Sequence, residues 1–346
     1  VFNYNWSLKD YKKKRKYTVF GTFLCGGGST MGYKLAGFNH IGGVELDKKM
    51  AIVYKKNHSP NYFYNEDIRD FNKRTNLPEE LYNLDILDGS PPCSAFSSIG
   101  LREKVWGKEK IFYEGQKLQK LDDLVFEYCE TIKKLKPKVC LLENVTGIIK
   151  GNAKWYSKEI NKNLKKSGYS VQIFLLDAST MGVPQRRQRV FFIGRRTGLK
   201  WPDLKLSFNE RSIYFNEIID KTDKETGLSD YYYEIWQKKL PDDKGFDDIC
   251  IRIEGRNKLY SQRFFKINEI PQTITAGTKV NPLFDIPRSL NKKELIKICS
   301  FPYDYDFCNY DHNYIMGMSV PPVMMAHIAN QIKLQWLNLE SKNKNP

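Results

Sequence analysis

Cys93 lies in Gly89-Ser90-Pro91-Pro92-Cys93-Ser94-Ala95-Phe96-Ser97, directly after the run Leu84-Asp85-Ile86-Leu87-Asp88. A thiol on a proline-stiffened turn at the end of a strand is a candidate nucleophile. For one cysteine read alone, a buried structural thiol is the plainer alternative. Glu143-Asn144-Val145 follows the apolar strand Val139-Cys140-Leu141-Leu142, which brings a carboxylic acid to the same sheet edge as Cys93. A thiol near an acid is the pairing needed to attack an electron-poor ring while protonating it. Read alone, Glu143 equally suits a helix N-terminus. Gln185-Arg186-Arg187-Gln188-Arg189 precedes another strand. Guanidinium groups there can lower a thiol pKa or hold a base carbonyl, or they form a solvated basic strand entry.

A second set of residues suits a nucleoside cofactor. Gly21-Thr22-Phe23-Leu24-Cys25-Gly26-Gly27-Gly28-Ser29 joins a first strand to a helix. Glycines let the backbone approach a ligand, and the helix N-terminus favours its carboxylate or phosphate. Glu45 ends a second strand, where an acid can accept ribose hydroxyls, and Asp67 with Ile68 could contact and flank an adenine. A plain tight turn explains the glycines alone; Glu45 and Asp67 following in order favour the cofactor.

These residues need a scaffold that gathers strand ends. Strand-like runs at Tyr17-Thr18-Val19-Phe20, Ile41 to Leu46, around Ile86, Val139 to Leu142, Val171 to Leu175 and Val190 to Ile193 alternate with helix-length segments, among them Leu121 to Leu135 and Trp155 to Ser167. That rhythm predicts a mostly parallel α/β sheet with helices on both faces, whose ligands bind beyond the carboxyl ends of the strands. From 197 to 264 the alternation breaks into short mixed segments with 12 Lys/Arg against 13 Asp/Glu, so the basic excess lies almost wholly elsewhere. Within that stretch basic residues gather late, at Arg252, Arg256, Lys258 and Arg263.

The 346 residues carry a net charge of +16, which suggests a polyanionic partner, most simply nucleic acid; a merely solvated Lys-rich surface is the alternative. The run Lys12-Lys13-Lys14-Arg15-Lys16 suits an arm on phosphates or a solvated tail. Apolar content of 41% can build a sizeable core, and no run has the length of a membrane span. Seven cysteines without CxxC spacing or nearby His pairs fit reduced thiols rather than a disulfide framework or a zinc site, so no metal is expected. No leader opens the chain, and the expected location is cytoplasmic.

Together these segments resemble the DNA cytosine-5 methyltransferase family. The matching motifs are the Phe23/Gly26/Gly28 turn, Glu45, Asp67-Ile68, Pro91-Pro92-Cys93, Glu143-Asn144-Val145, Gln185 through Arg189 with Gly194, Thr273-Ile274-Thr275, and Gly317 through Val320. They stand in the family order over roughly residues 17 to 330. The resemblance implies a Rossmann-like methyltransferase domain dependent on S-adenosylmethionine, with a smaller inserted target-recognition domain. Its divisions are 1–196 (catalytic, cofactor-binding), 197–264 (target recognition) and 265–346 (a return to the catalytic domain).

It also implies a reaction: methyl transfer to C5 of a cytosine flipped out of duplex DNA, through a covalent bond from Cys93 to C6, with S-adenosylhomocysteine as product. Cys93 and Glu143 are the catalytic pair, Arg189 holds the base carbonyl and Arg187 supports the site. Phe23, Gly26, Gly28, Glu45, Asp67, Ile68, Pro91, Leu124 and Ser319 are the cofactor contacts. Ser97, Arg102, Lys104, Arg252, Arg256 and Arg263 are the DNA contacts. The segment between Cys93 and Leu124, with Arg102, Lys104, Lys108, Lys110, Lys117 and Lys120, is expected to be a mobile lid over DNA. A bacterial or phage modification enzyme fits this reading: monomeric, nucleoid-associated, with a separately encoded restriction endonuclease as its companion. Two residues depart from the family pattern, Ser94 where Gln is common and Met318 where Asn is usual. Two alternatives stay open, an RNA (tRNA) cytosine-5 methyltransferase and a catalytically silent DNA-binding relative.

Overall fold

The computed structural model describes residues 2–11, 15–92, 123–150, 154–222 and 226–339, and the backbone alone of 109–110 and 119–120. By its internal contacts the chain divides into two units. One comprises Tyr11–Asp177, Gln188–Ser207 and Met325–Pro346; the other comprises Val1–Asp10, Ala178–Arg187 and Phe208–Met324. Residues 265–324, expected with the catalytic domain, therefore group with the second unit. So does 178–187, because the buried side chains of Gln185 and Arg187 hydrogen-bond to the backbone of Ile274, Ile298, Gly317 and Ser319.

In the first unit, β1 (Thr18–Thr22), α1 (Gly28–Leu35), β2 (Asn39–Val44), α2 (Lys48–His58), β3 (Tyr62–Tyr64), α3 (Ile68–Lys73) and β4 (Ile86–Gly89) follow in order. Next come a two-residue antiparallel ladder of β5 (Glu109–Lys110) and β6 (Gln119–Lys120), then α4 (Leu124–Leu135), β7 (Val139–Val145), α5 (Lys154–Lys166), β8 (Tyr169–Asp177) and β9 (Gln188–Arg196). Seven strands form one sheet in the order β3-β2-β1-β4-β7-β9-β8. The five from β3 to β7 run parallel, as the alternation predicts, and β9 is antiparallel to both its neighbours. The reason is chain length. Only ten residues separate β8 from β9, fewer than a parallel crossover requires.

Central strands of such a sheet are covered on both faces, and β7 is buried at six of its seven positions. Leu87, Leu142 and Phe192 pack on one face with Tyr128, Ile132, Ile160 and Leu164 of α4 and α5. The strand ends are fixed by local chemistry. Asp47 caps α2 by accepting the Lys49 N–H at 2.7 Å, a contact worth ~1 kcal/mol, so the chain leaves β2 and turns sharply at Glu45.

The second unit is built of short elements: α6 (Asp230–Gln237), α7 (Phe246–Glu254), α8 (Lys292–Ile298), α9 (His312–Met318) and the start of α10 (Pro322–Ile332). No residue of α6 is fully buried, but Tyr232, Ile235 and Trp236, at helical spacing, pack against the small core of this unit. A small cluster of Phe246, Ile249 and Phe264 serves as a core. The buried bidentate pair Arg288–Glu294, at 2.6 Å, ties α8 to the loop before it.

Candidate active site

The turn after β1 is built from left-handed backbone. Phe23, Cys25 and Gly27 all have positive φ, at 57°, 46° and 80°. Only glycine fits at 27: a Cβ there would lie 2.2 Å from Nε2 of the buried His58. Gly27 also caps α1 without any side-chain hydrogen bond, so no capping side chain occupies the first N–H groups of that helix.

Glu45 stands at the mouth of this turn. Its two carboxyl oxygens accept the N–H groups of Cys25 at 2.7 Å and Asp47 at 2.8 Å, leaving lone pairs for further donors. Burial pushes its pKa up to about 7, against the lowering effect of those bonds. Asp67 caps α3 through the Arg69 N–H and pairs with the Arg69 guanidinium at 3.2 Å. Ile68 and Leu124 are buried together, with the half-buried Phe23 packed against them. Three residues far apart in sequence thus form one apolar surface beside the turn, of the kind that receives a flat base.

The carboxyl end of β7 carries the acid. Glu143 is nearly buried and pairs with Arg189 of β9, Oε1 to Nε 3.0 Å. Burial lowers the Arg189 pKa and the Glu143 charge opposes that shift. Asn144 is turned the other way. Its Oδ1 accepts the Val145 N–H at 2.8 Å, and its Nδ2 donates to the Pro91 carbonyl at 3.4 Å, tethering the segment that leads into Cys93. Cys93, Ser97, Arg102 and Lys104 lie outside the described residues, as do the side chains of Lys108, Lys110, Lys117 and Lys120.

Three expectations change in the second unit. Arg187, expected to support the site, does so as a backbone clamp. Its guanidinium donates to the carbonyls of Ile274 (3.0 Å), Gly317 (2.9 Å) and Ser319 (3.0 Å) while only 3% exposed. The same clamp explains two motifs: Thr273 donates to the Arg186 carbonyl, and a Cβ on Gly317 would come within 2.5 Å of the Ala276 nitrogen. Ser319 is buried with its hydroxyl donating to the Ile315 carbonyl. Arg252 and Arg263 are held by acids, Arg252 forked onto Asp243 at 2.6 and 3.0 Å and Arg263 on Asp247 at 3.2 Å. Their acid-rich flanks are their partners. Arg256 is exposed and makes no ion pair among the described residues.

One polar residue went unread. Asp88 is the lone acid in the buried strand β4, and its carboxylate accepts the Tyr33 hydroxyl. The signal was present as an acid inside an apolar run.

The sequence profile of the C-5 cytosine-specific DNA methylases matches residues 17–334. The chain belongs to that family.

As a member, the methyltransferase moves a methyl group from S-adenosylmethionine to C5 of cytosine in DNA. It is 29% identical to the Type II methyltransferase M.FnuDI of Fusobacterium nucleatum, over 91% of this chain and 94% of that protein. It is 26% identical to the Type II methyltransferase M.HindV of Haemophilus influenzae, over 88% and 93%. Its fold is that of the DNMT2 protein of Spodoptera frugiperda, with a TM-score of 0.64 over 92% of this chain and 99% of that one at 17% identity. Among the methyltransferase's described residues, no helix is long and apolar enough to cross a membrane.

Proposed function

We propose that Cys93 and Glu143 carry the chemistry on a cytosine flipped out of duplex DNA, and that the turn from Phe23 to Gly28 with Glu45, Asp67, Ile68 and Leu124 holds S-adenosylmethionine. The observation that carries this reading is the carboxyl end of β7. Glu143 is buried on Arg189, while the adjacent Asn144 tethers Pro91, two residues before the nucleophile. When bound, S-adenosylmethionine supplies an electrophilic methyl group on a cationic sulfur. The uncapped first turn of α1 suits its carboxylate, Glu45 its ribose hydroxyls, and the Phe23–Ile68–Leu124 surface its adenine.

The Cys93 thiolate adds to C6, and the displaced electron pair makes C5 nucleophilic while Glu143 stabilises the proton on N3. Arg189 holds Glu143 in place and offers N–H groups to the base carbonyl. After C5 takes the methyl group, loss of its proton expels the Cys93 thiolate and restores the aromatic ring.

Recognition of the DNA site is assigned to the 197–264 region, and Arg256 is its free arginine. The similarity to Type II methyltransferases favours a modification enzyme paired with a separately encoded restriction endonuclease. Monomeric action in the cytoplasm, on the nucleoid, completes the proposal.

The test is a duplex bearing 5-fluorocytosine, from which the C5 substituent cannot leave as a cation. The expected result is a denaturation-resistant protein–DNA adduct that requires S-adenosylmethionine and maps to Cys93. Cys93→Ser abolishes it, and Glu143→Gln slows it ~10²–10⁴-fold. An adduct at Cys25 or Cys140, or methylation surviving Cys93→Ser, overturns the assignment.

A further inference from the structure

Asp88 is a carboxyl group in a place where the sheet otherwise buries hydrocarbon. It is 3% exposed, on the central strand β4, five residues before Cys93. Its partner across the ladder is Gly21 of β1, the residue before Thr22, where the cofactor turn leaves the sheet. The Thr22 hydroxyl donates to its backbone carbonyl at 3.2 Å. Two side chains from α1 reach its carboxylate, the Tyr33 hydroxyl at 3.2 Å and the Ser29 hydroxyl. Asp88 therefore joins α1 to the strand that leads to the nucleophile.

A buried carboxylate disfavours its own ionisation, and among the described residues none of the groups acting on Asp88 supplies a full positive charge. The charged and titratable groups acting on it are Glu143 of β7, Tyr33 of α1, Tyr54 of α2 and Tyr128 of α4. The cation nearest to Glu143, Arg189, is already paired with Glu143. Two hydroxyls are less than the usual compensation for a buried anion. The reaction itself brings a cation. On the proposed reading the methyl is handed to a base bonded to Cys93, five residues beyond Asp88 in the chain, and the sulfur that carries it would approach the carboxyl end of β4. That sulfur is positively charged in the donor and neutral in the product.

We propose that Asp88 is a charge-sensing positioning residue of the cofactor site: its carboxylate favours the cationic donor S-adenosylmethionine over the neutral product S-adenosylhomocysteine, which promotes exchange after each turnover. This rests on the reading that the Phe23–Gly28 turn is the cofactor site. The physical basis is Coulombic. A cation near a carboxylate in a weakly polarisable interior favours the ionised form. In the free protein burial raises the Asp88 pKa to about 7, with the two hydroxyl bonds opposing and Glu143 adding to the shift. Donor binding then draws a proton off Asp88, and product binding does not. The donor's advantage over the product must grow as pH rises through neutrality.

Glu45 titrates in the same range. It faces groups common to both ligands, so the ratio of their affinities cancels it.

The experiment is calorimetric or fluorescence titration of the full-length protein with each ligand separately, without DNA, at pH 6 and pH 8. The expected result is a ratio of product to donor dissociation constants that rises up to about tenfold over that interval, the equivalent of ~1.4 kcal/mol. Asp88→Asn keeps the shape and accepts the same hydroxyls; it should flatten the ratio with pH and weaken donor binding alone. Tyr33→Phe removes one opposing bond and should move the midpoint of the rise to higher pH. An Asp88→Asn protein that melts normally yet keeps the wild-type ratio at both pH values overturns the proposal. Glu45→Gln separates the two layers. If it leaves both ligands' affinities untouched, the turn is not the cofactor site; if it weakens both while Asp88→Asn leaves the ratio alone, only the charge-sensing role fails.

Discussion

Replacing Arg187 by alanine separates a structural clamp from a catalytic contact. The guanidinium holds the carbonyls of Ile274, Gly317 and Ser319 at 2.9–3.0 Å in a dry interior, so removal leaves three acceptors without their donor. Hydrogen bonds to a charged donor are each worth ~1.5–3 kcal/mol, but relaxation and entering water recover part of that. A loss of about 3–5 kcal/mol follows, in line with breaking one side of a buried charged network. At roughly 2 °C per kcal/mol for a chain of this size, the melting midpoint should fall by ~6–10 °C. Arg187→Lys should recover less than half, because a single ammonium cannot fork onto three carbonyls. Thermal melts read the first effect. Methyl transfer measured well below the variant's midpoint reads the second, and it should remain within about tenfold of wild type, the rate equivalent of 1.36 kcal/mol. An unchanged midpoint with turnover abolished would refute the clamp.

Arg256→Ala should cost ~1–3 kcal/mol of discrimination at one base position, scored on a randomised duplex library, with the melting midpoint unmoved. Arg252→Ala should do the reverse, lowering the midpoint and leaving site preference intact, because its guanidinium is spent on Asp243; altered preference in Arg252→Ala alone would invert the assignment. The raised pKa of Asp88 also predicts a pH dependence of the ligand-free fold. Its folded value, about 7, lies above its unfolded value near 4, so stability present at low pH is lost as pH rises through that window. Asp88→Asn removes roughly 3 kcal/mol of that loss between pH 5 and 8. The gap between the melting midpoints at pH 5 and pH 8 should narrow in the variant, and an unchanged gap would count against a buried, titrating Asp88.

Much of the catalytic unit was legible because its signals are local. The parallel strands were written as apolar runs of strand length, and the turn after β1 declared itself by glycines, one of which must adopt a left-handed backbone against His58. Glu45, Asp67 and Glu143 followed strands whose carboxyl ends the parallel topology gathers on one edge. The antiparallel β9 was less legible, since direction depends on connection length rather than on strand composition. The arginines misled for a related reason. Arg252 and Arg263 look like base readers by type, but ion pairing depends on which acid a fold brings within 4 Å.

The sequence by itself supplied the residue types from which the family resemblance is read: a cysteine on a proline turn, an acid near the end of a buried strand, and a glycine turn followed by acids. Residue type and spacing suffice there, because reactivity and backbone freedom belong to the residue. Only the tertiary structure decided how the polar groups are spent. Phe23, Ile68 and Leu124 became one surface, Arg189 went to Glu143, and Arg187, two positions earlier, went to three carbonyls of its own unit. Asp88 was left buried against two hydroxyls. The physical reason is that a charge's worth is set by its burial and its partners, and these come from contacts between distant segments, 132 residues apart for Arg187 and Ser319.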